Sequence, residues 1–171
     1  MLTGSQPNVE DSIEVETFER EKGIIYLSGP IREVEDDGRG WREEFKRDYG
    51  DEFDILSPLD AFDPSEVSIL HSSLDYNPDE EKEQILPVEY ITSDKSDIAR
   101  SEAVFVGLPD VISRGTSMEC MFCFMTGTPY YLWEMDSQDE SGWITYHADF
   151  VHGDRDVVVQ EMVSDMEGGY L

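Results

Sequence analysis

The sequence has few basic residues, and this shortage excludes one class of partner. Twelve lysines and arginines stand against 40 aspartates and glutamates, so the 171-residue chain carries a formal net charge of −28. So few cations cannot build a patch that would hold a polyphosphate backbone, and the negative field would repel one. We therefore expect no duplex nucleic acid among the partners of this protein.

Cysteines and long apolar runs are also scarce. Cys120 and Cys123 are the only cysteines, which is too few for a disulfide framework and suits a reducing cytosol. No apolar stretch approaches the length that spans a bilayer. Residues 1–22 lack the basic start and the apolar run of a signal peptide. These absences predict a cytoplasmic protein that does not bind a membrane.

The acidic excess itself has a physical consequence. Carboxylates in this number destabilise a compact chain by mutual repulsion unless salt screens them, and at molar ionic strength the screening length is about 3 Å. We hypothesise a halophilic protein that works in a high-salt cytoplasm. The alternative is an acidic protein in ordinary salt, because net charge affects solubility and not the fold.

The apolar residues predict one α/β domain. They make up 39% of the chain, enough for one core, and residues 1–22 are predicted to be a flexible acidic extension with a candidate edge strand at 13–18. The domain spans residues 23–171, with a surface insertion at 61–90 that carries at most a short helix. Short apolar runs predict strands at residues 24–27, 53–56, 103–106 and 129–133.

Helices are predicted between these strands. Aromatic residues at helical spacing indicate a helix around residues 41–49, and Ser93 is predicted to cap a short helix at 93–101. A further helix is expected at 116–126, and Asp154 is predicted to cap a final one. Strands that alternate with helices imply right-handed crossovers and a three-layer sandwich with a mainly parallel, flavodoxin/Rossmann-like sheet.

Ligands in such folds bind where loops leave the carboxyl ends of the strands. This rule brings residues 28–32, residues 108–117 and the start of the Asp94 helix to one rim. Three motifs belong to these segments: Ile25-Tyr26-Leu27-Ser28-Gly29-Pro30, Asp94 eight residues before Glu102, and Gly115-Thr116-Ser117-Met118-Glu119. A fourth motif, Gly127-Thr128-Pro129, is the small-residue turn before the next strand. In this order the chain resembles the nucleoside 2-deoxyribosyltransferase family, from Gly23 to about Met166.

The resemblance implies cleavage of the N-glycosidic bond of a 2′-deoxynucleoside or its 5′-monophosphate. Such chemistry uses one carboxylate as nucleophile and a second group as acid and base. Glu119 matches the nucleophile, expected in the first turn of its helix where backbone amides favour the ionised form. Asp94 matches the acid/base, and Tyr26 would orient Glu119. Each residue also has a purely structural alternative. Glu119 could only interact favourably with the helix dipole, and Tyr26 could belong only to the core. Asp94 could have a structural role, with Asp97 as the acid/base in its place.

Two activities occur in the family: exchange of the sugar between free bases, and hydrolysis of deoxynucleoside 5′-monophosphates. Gly29-Pro30 resembles the exchangers, whereas Arg32 and Ser113 resemble the phosphate-contacting residues of the hydrolases. Asp110 is a candidate for the aspartate that exchangers carry in place of that serine. The substrate-binding residues implied in total are Ser28, Gly29, Pro30, Arg32, Asp97, Asp110, Ser113, Gly115, Thr116, Ser117 and Met118.

The resemblance further implies a small-molecule deoxynucleoside or deoxynucleotide and a purine or pyrimidine base as ligands, and no metal or organic cofactor. It implies a homodimer or larger oligomer, in which residues 143–149 of one subunit could complete the site of another. Two rival functions are a binding module without catalysis and a metal site at the C-x-x-C motif of Cys120 and Cys123. The distance to His147 is about twice the zinc-finger spacing, so we favour buried packing of these cysteines.

Overall fold

The protein was analysed as a computed structural model that describes residues 22–61, 63–70, 73–109, 113–135 and 142–168. The predicted extension, apart from its last residue, and its candidate edge strand lie outside these ranges, as does Asp110. Within them, no helix is long and apolar enough to cross a membrane.

A parallel five-stranded sheet forms the centre of the fold. Its strands are β1 (Gly23–Ser28), β2 (Phe53–Leu56), β5 (Ala103–Leu108), β6 (Tyr130–Glu134) and β7 (Phe150–His152). They pair in the order β2-β1-β5-β6-β7, and every pairing is parallel. Counted among themselves, the strands follow the flavodoxin-like order 2-1-3-4-5. The predicted fold class is confirmed, and the order reverses between β1 and β5.

Helices cover both faces of the sheet. They are α1 (Arg39–Tyr49), α2 (Pro87–Arg100), α3 (Arg114–Thr126), α4 (Gly142–His147) and α5 (Arg155–Gly168). Alternate strand residues point to opposite faces, which divides the buried residues into two clusters. Phe105 belongs to the cluster that includes α1 and α5, and Val106 to the cluster that includes α2, α3 and α4. The result is a three-layer sandwich.

The start of α2 differs from the prediction. Ser93 does not cap this helix, because α2 begins at Pro87 and Ser93 lies inside it. Proline suits a first helical position because its missing N–H has no partner there in any case. The Glu89 carboxylate accepts the Leu86 N–H at 2.9 Å, so the charged segment before residue 93 carries its own start signal. Asp94 therefore lies in the second turn of the helix and not at its start.

The start of α3 also changes an expectation. This helix begins at Arg114, and the Ser113 hydroxyl caps it by accepting the Thr116 N–H at 2.9 Å. Glu119 is thus in the second turn, beyond the free amides of the first. The expectation that helix-start amides favour its ionised form is wrong, and other groups must do so. In α5, by contrast, Asp154 caps as predicted, accepting the Asp156 N–H at 2.9 Å.

The predicted insertion contains more structure than a loop with one short helix. Two short strands, β3 (Val67–Ile69) and β4 (Glu83–Ile85), pair in parallel as a separate small sheet. Val67 and Ile85 are buried, which gives the segment a small apolar contact of its own. Three-residue strands carry too little periodicity to be recognised among acidic residues.

Candidate active site

A cleft of about 180 Å³ opens beside the point where the strand order reverses. This is the position at which ligands bind in open α/β sheets. Three loops, the small sheet and the helices α2 and α3 supply its walls. The lining residues are Gly29, Ile31, Arg32, Glu33, Pro58, Ile69, Tyr90, Asp94, Ser113, Gly115, Thr116 and Glu119.

Two hydroxyl groups from β1 hold the carboxylate of Glu119. The Ser28 hydroxyl donates to Oε2 at 2.5 Å, and the Tyr26 hydroxyl donates to Oε1 at 3.2 Å. Both donors are fully buried, so their positions are fixed by the core. Burial raises the pKa of Tyr26 well above its usual value, and the nearby Glu119 raises it further. The phenol therefore stays protonated and serves as a hydrogen-bond donor.

Asp94 faces the same cleft from α2. Burial is the largest of the effects that together raise the pKa of its carboxyl to about 7; the charge of Glu119 contributes to the increase, and the nearby Tyr26 hydroxyl opposes it. Burial also raises the pKa of Glu119, but there the hydroxyls of Ser28 and Tyr26 and the charge of Arg42 oppose it. Because two hydroxyl groups donate to the Glu119 carboxylate, a proton shared by the pair is favoured on Asp94.

This distribution of charge has a chemical consequence. A carboxylate held by two donors is available as a nucleophile, and a neighbouring carboxylic acid with a pKa of about 7 can release and recover a proton at neutral pH. Two carboxyl groups with separated pKa values are the arrangement that retaining glycosidic cleavage requires.

The rim of the cleft carries the predicted phosphate ligands. Arg32 is exposed on the loop after β1 and makes no ion pair with any residue that the structure describes. Ser113, in contrast, is buried, and its hydroxyl is engaged with Thr116, in contact with both the backbone N–H and the side-chain hydroxyl at 2.9 and 2.8 Å. A Cβ on Gly115 would meet only the Ser113 oxygen at 3.5 Å, so packing within the protein does not require glycine there.

Several predicted site residues do not line the cleft. Asp97, predicted as a substrate-binding residue and as the rival acid/base, instead forms an ion pair with Arg100 at 2.8 Å. Ser117 and Met118 line a second cavity on the other side of α3. Pro30 is buried and contributes its carbonyl oxygen to a hydrogen bond with Arg42. Ser28 lies beneath the site, where it contacts Glu119 and not the open cleft.

Two sets of residues in or beside the cleft were not predicted from the sequence. Pro58, Ile69 and Tyr90 form an apolar part of the cleft wall, and they lie in or beside the segment predicted to be a surface insertion. Tyr90 precedes Asp94 by four residues, a spacing that would have placed both on one face of a helix had the start of α2 been recognised. Arg42 is the second omission, and no sequence signal distinguishes it from the other charged residues of α1.

The second cavity, of about 220 Å³, is mainly apolar and lies between α3 and α4. Cys120 lines it, and Cys123 lies deeper in the core. Both cysteines are free, and burial raises the pKa of the Cys123 thiol to about 12. Among the residues that the structure describes, no group of three or more potential ligands is arranged to hold a metal ion.

Comparison with known proteins supports the fold. No family model matches the chain, and no curated protein matches it. The crystal structure of a conserved protein from Enterococcus faecalis V583 matches with a TM-score of 0.56 at 15% sequence identity, and the match covers 84% of this chain and 98% of that chain. At this identity, the likeness shows a shared fold and carries no statement about chemistry.

Proposed function

We propose that this protein is an enzyme of the nucleoside 2-deoxyribosyltransferase type, with Glu119 as nucleophile and Asp94 as acid and base. The observation that carries the proposal is the pairing of a carboxylate held by Ser28 and Tyr26 with an acid of pKa about 7 in one cleft. A structural role does not explain why two half-buried carboxyl groups face one cleft without an ion-pair partner among the described residues.

The reaction follows from the two protonation states. The Glu119 carboxylate attacks C1′ of the deoxysugar, and the bond between C1′ and the base nitrogen breaks as Asp94 gives its proton to the departing base. A deoxyribosyl ester of Glu119 results. A second base then loses its N–H proton to the Asp94 carboxylate and attacks C1′, which releases Glu119 as a carboxylate. If water takes the place of the second base, the enzyme is a hydrolase.

One observation favours the hydrolase of deoxynucleoside 5′-monophosphates as a second candidate. Arg32 reaches the cleft without an ion-pair partner among the described residues, in a chain where acids outnumber basic residues by 40 to 12. A guanidinium binds phosphate oxygens through two parallel N–H groups. Ser113, the second predicted phosphate ligand, caps α3 with its hydroxyl, and this role weakens its assignment to the phosphate. Asp110, the candidate for the aspartate of the exchangers, lies outside the described residues.

The proposed enzyme is a homo-oligomer. Large apolar side chains are exposed on α3 and α4: Met118 by 69%, Phe124 by 54%, Trp143 by 74% and Tyr146 by 82%. A contiguous apolar surface on an otherwise acidic protein is typical of an interface. Residues 142–149 contribute nothing to the cleft of their own subunit among the described lining residues, so any catalytic contribution from them would be to a neighbour's cleft. The proposed working environment is a high-salt cytoplasm.

The reaction class is tested by product analysis at high KCl concentration. Deoxynucleosides and their 5′-monophosphates are each incubated with and without a free acceptor base, and the products are separated by chromatography. A new deoxynucleoside that forms only with the acceptor identifies the transferase, whereas free sugar or sugar phosphate identifies the hydrolase. Ligand binding without any product would support the binding module instead.

Arg32→Ala separates the two candidates further. A phosphate role predicts that the variant loses about 10- to 100-fold in kcat/KM on the monophosphate and little on the deoxynucleoside. Equal losses on both substrates would remove Arg32 from the phosphate site. Arg100→Ala, which deletes an exposed arginine that pairs with Asp97 away from the cleft, is the control for the change in net charge.

A further inference from the structure

Arg42 is a buried arginine without a carboxylate in direct contact among the described residues. Its side chain is 2% exposed, and its hydrogen bonds go to neutral backbone carbonyls. Nη2 donates to Gly29 at 2.8 Å, and Nη1 donates to Gly38 at 2.8 Å and to Pro30 at 3.4 Å. Burial of a charge without a direct counter-ion is costly for stability. An arginine at this position therefore calls for a reason other than stability.

The loop after β1 is built around this guanidinium. Gly29 and Gly38 both have positive φ angles, of 156° and 67°. A Cβ on Gly38 would lie 2.3 Å from Nη1, and a Cβ on Gly29 would lie 3.3 Å from Nη2 and 2.7 Å from the Gly107 carbonyl. Larger residues at both ends of the loop would therefore collide with the guanidinium or its surroundings. The guanidinium of Arg42 lies over the Trp41 ring, with Cζ 4.5 Å from the ring centroid.

The same guanidinium lies directly behind the wall of the cleft, because the Gly29 carbonyl that it binds belongs to a residue that lines the cleft together with Asp94 and Glu119. Its charge lowers the pKa of Glu119 and that of Asp94, and burial lowers the pKa of Arg42 itself to about 10. Its Nε has no hydrogen-bond partner among the described residues, which adds to the cost of burying the side chain. The attraction between the guanidinium and the carboxyl groups offsets part of that cost.

We propose that Arg42 is a positioning residue of the site: its planar fork fixes the loop from Gly29 to Gly38, and its positive charge, held behind Gly29 at the wall of the cleft, stabilises the Glu119 carboxylate. The functional consequence rests on the proposed reaction, in which Glu119 must attack as a carboxylate. Arg42 does not line the cleft, so it acts through the loop and through its field and does not touch the substrate. The loop matters because Gly29, Ile31, Arg32 and Glu33 form one wall of the cleft.

Two substitutions of Arg42 separate the role of its hydrogen bonds to the loop from the role of its positive charge. Arg42→Lys keeps a positive charge but cannot donate to three carbonyls in one plane. Arg42→Gln removes the charge. Arg39→Gln is the matched control, because it removes the same charge from the same helix at a half-buried residue that pairs with Asp63 at 2.6 Å.

The decisive readout is the titration of the two carboxyl carbons of Glu119 and Asp94 by NMR, which needs no substrate. Arg42→Gln is expected to raise both pKa values by about 0.5–1 unit, whereas Arg42→Lys and Arg39→Gln leave them within about 0.3 unit. Unchanged pKa values in a folded Arg42→Gln protein would overturn the electrostatic role. The other charged or hydrogen-bonding groups near this carboxyl pair stay unchanged in all variants; among the described residues they include Tyr26, Ser28, Arg32, Glu33, Tyr90 and Asp97.

The loop is tested by amide hydrogen exchange. Backbone amides of Asp37, Gly38 and Arg39 are hydrogen-bonded within the loop or at its end, and they should exchange about 10-fold faster in Arg42→Lys as the loop opens more often. Wild-type protection in this variant would overturn the fork's role. If Arg42→Gln does not fold, Arg42→Met, which also removes the charge but keeps a long apolar side chain in the buried position, replaces it in the titration.

The pH dependence of kcat/KM then connects Arg42 to function. Arg42→Gln should shift the acidic limb upward by the same amount as the NMR pKa of Glu119, and Arg42→Lys should lower the plateau about 10-fold without shifting the limb. If the wild-type protein releases no base from any substrate, the proposed reaction fails while the titration still decides the role of Arg42. If the wild type is active and the titrations do not move, only the proposal for Arg42 fails.

Discussion

The two faces of the central sheet bury different kinds of side chain. On the face of α1 and α5, the rings of Trp41, Phe45 and Phe105 pack with centroids 4.5–6.3 Å apart. On the opposite face, buried side chains with polar atoms are common, and Tyr26 and Tyr130 each donate their hydroxyl to a specific acceptor. The comparison indicates that the first face mainly stabilises the fold, whereas the second face also buries polar groups that the proposed reaction uses.

The largest predicted effect is on catalysis, at Glu119. Glu119→Gln keeps the shape of the side chain but removes the nucleophile, and we expect kcat/KM to fall about 10⁴-fold, equivalent to about 5.5 kcal/mol of activation free energy. The free energy of unfolding at pH 7 should not decrease, because the variant removes a carboxyl group whose pKa is raised by burial. Substantial activity in this variant, measured by release of free base, would contradict the assignment.

The second largest predicted effect is a loss of stability on the face of α1 and α5. Phe105 is fully buried, and Phe105→Ala should reduce the free energy of unfolding by about 3–5 kcal/mol, because it leaves a cavity beside Trp41 and Phe45. The measurement is urea unfolding at a fixed high KCl concentration. The activity per folded molecule should stay within about threefold of wild type if this face serves mainly stability. A large loss of activity with little loss of stability would refute the division between the faces.

Asp94 gives a pH-dependent effect of intermediate size. Its folded pKa of about 7 exceeds its ordinary value of 3.8, so between these pH values the folded state binds more protons than the unfolded state. The free energy of unfolding therefore falls as pH rises from about 4 to 7.

Asp94→Asn removes this dependence. The free energy of unfolding of the variant minus that of the wild type should therefore be about 1–3 kcal/mol larger at pH 8 than at pH 4. Urea unfolding of both proteins at constant ionic strength, across pH 4–8, provides the measurement. Glu44→Gln, in which the changed carboxyl group is exposed on α1 and lies outside the cleft, is the control. Parallel curves for wild type and Asp94→Asn would show that the pKa of Asp94 is not raised.

The smallest predicted effect compares two adjacent tyrosines of β6. Tyr130 faces the α3 side and donates to the Ile144 carbonyl, while Tyr131 faces the α5 side and donates to Asp165 at 2.9 Å. Tyr130→Phe should cost about 1 kcal/mol, because the buried carbonyl loses its partner. Tyr131→Phe should cost less, since water can replace the hydroxyl at the part-buried Asp165. Equal costs in thermal unfolding would argue against a difference between the faces.

The fold was predictable because its signal is repeated. Four apolar runs, each followed by turn residues and a helical period, imply a parallel sheet whichever single element is misjudged. Glu119 and Asp94 could also be identified, since they stand in recognisable motifs. The start of α2 could not, because Pro87 and Glu89 are spread through an acidic segment whose composition is typical of a loop.

Residues that act through tertiary contacts were beyond the sequence. Arg42 is one of several charged residues on α1, and only the approach of Gly29 and Gly38 makes it buried. Ile69 reaches the cleft through a three-residue strand whose pairing partner is 16 residues away. Such contacts depend on the closing of long loops, which local propensity does not encode.

The most direct test of the account is to identify the covalent intermediate. Wild-type protein is mixed with a deoxynucleoside without acceptor base, quenched in acid within the first turnover, digested, and analysed by mass spectrometry. The account predicts one deoxyribosyl group on the peptide that contains Glu119, reduced in Asp94→Asn and missing in Glu119→Gln. Release of base without any adduct on that peptide, or an adduct on another residue, would contradict it.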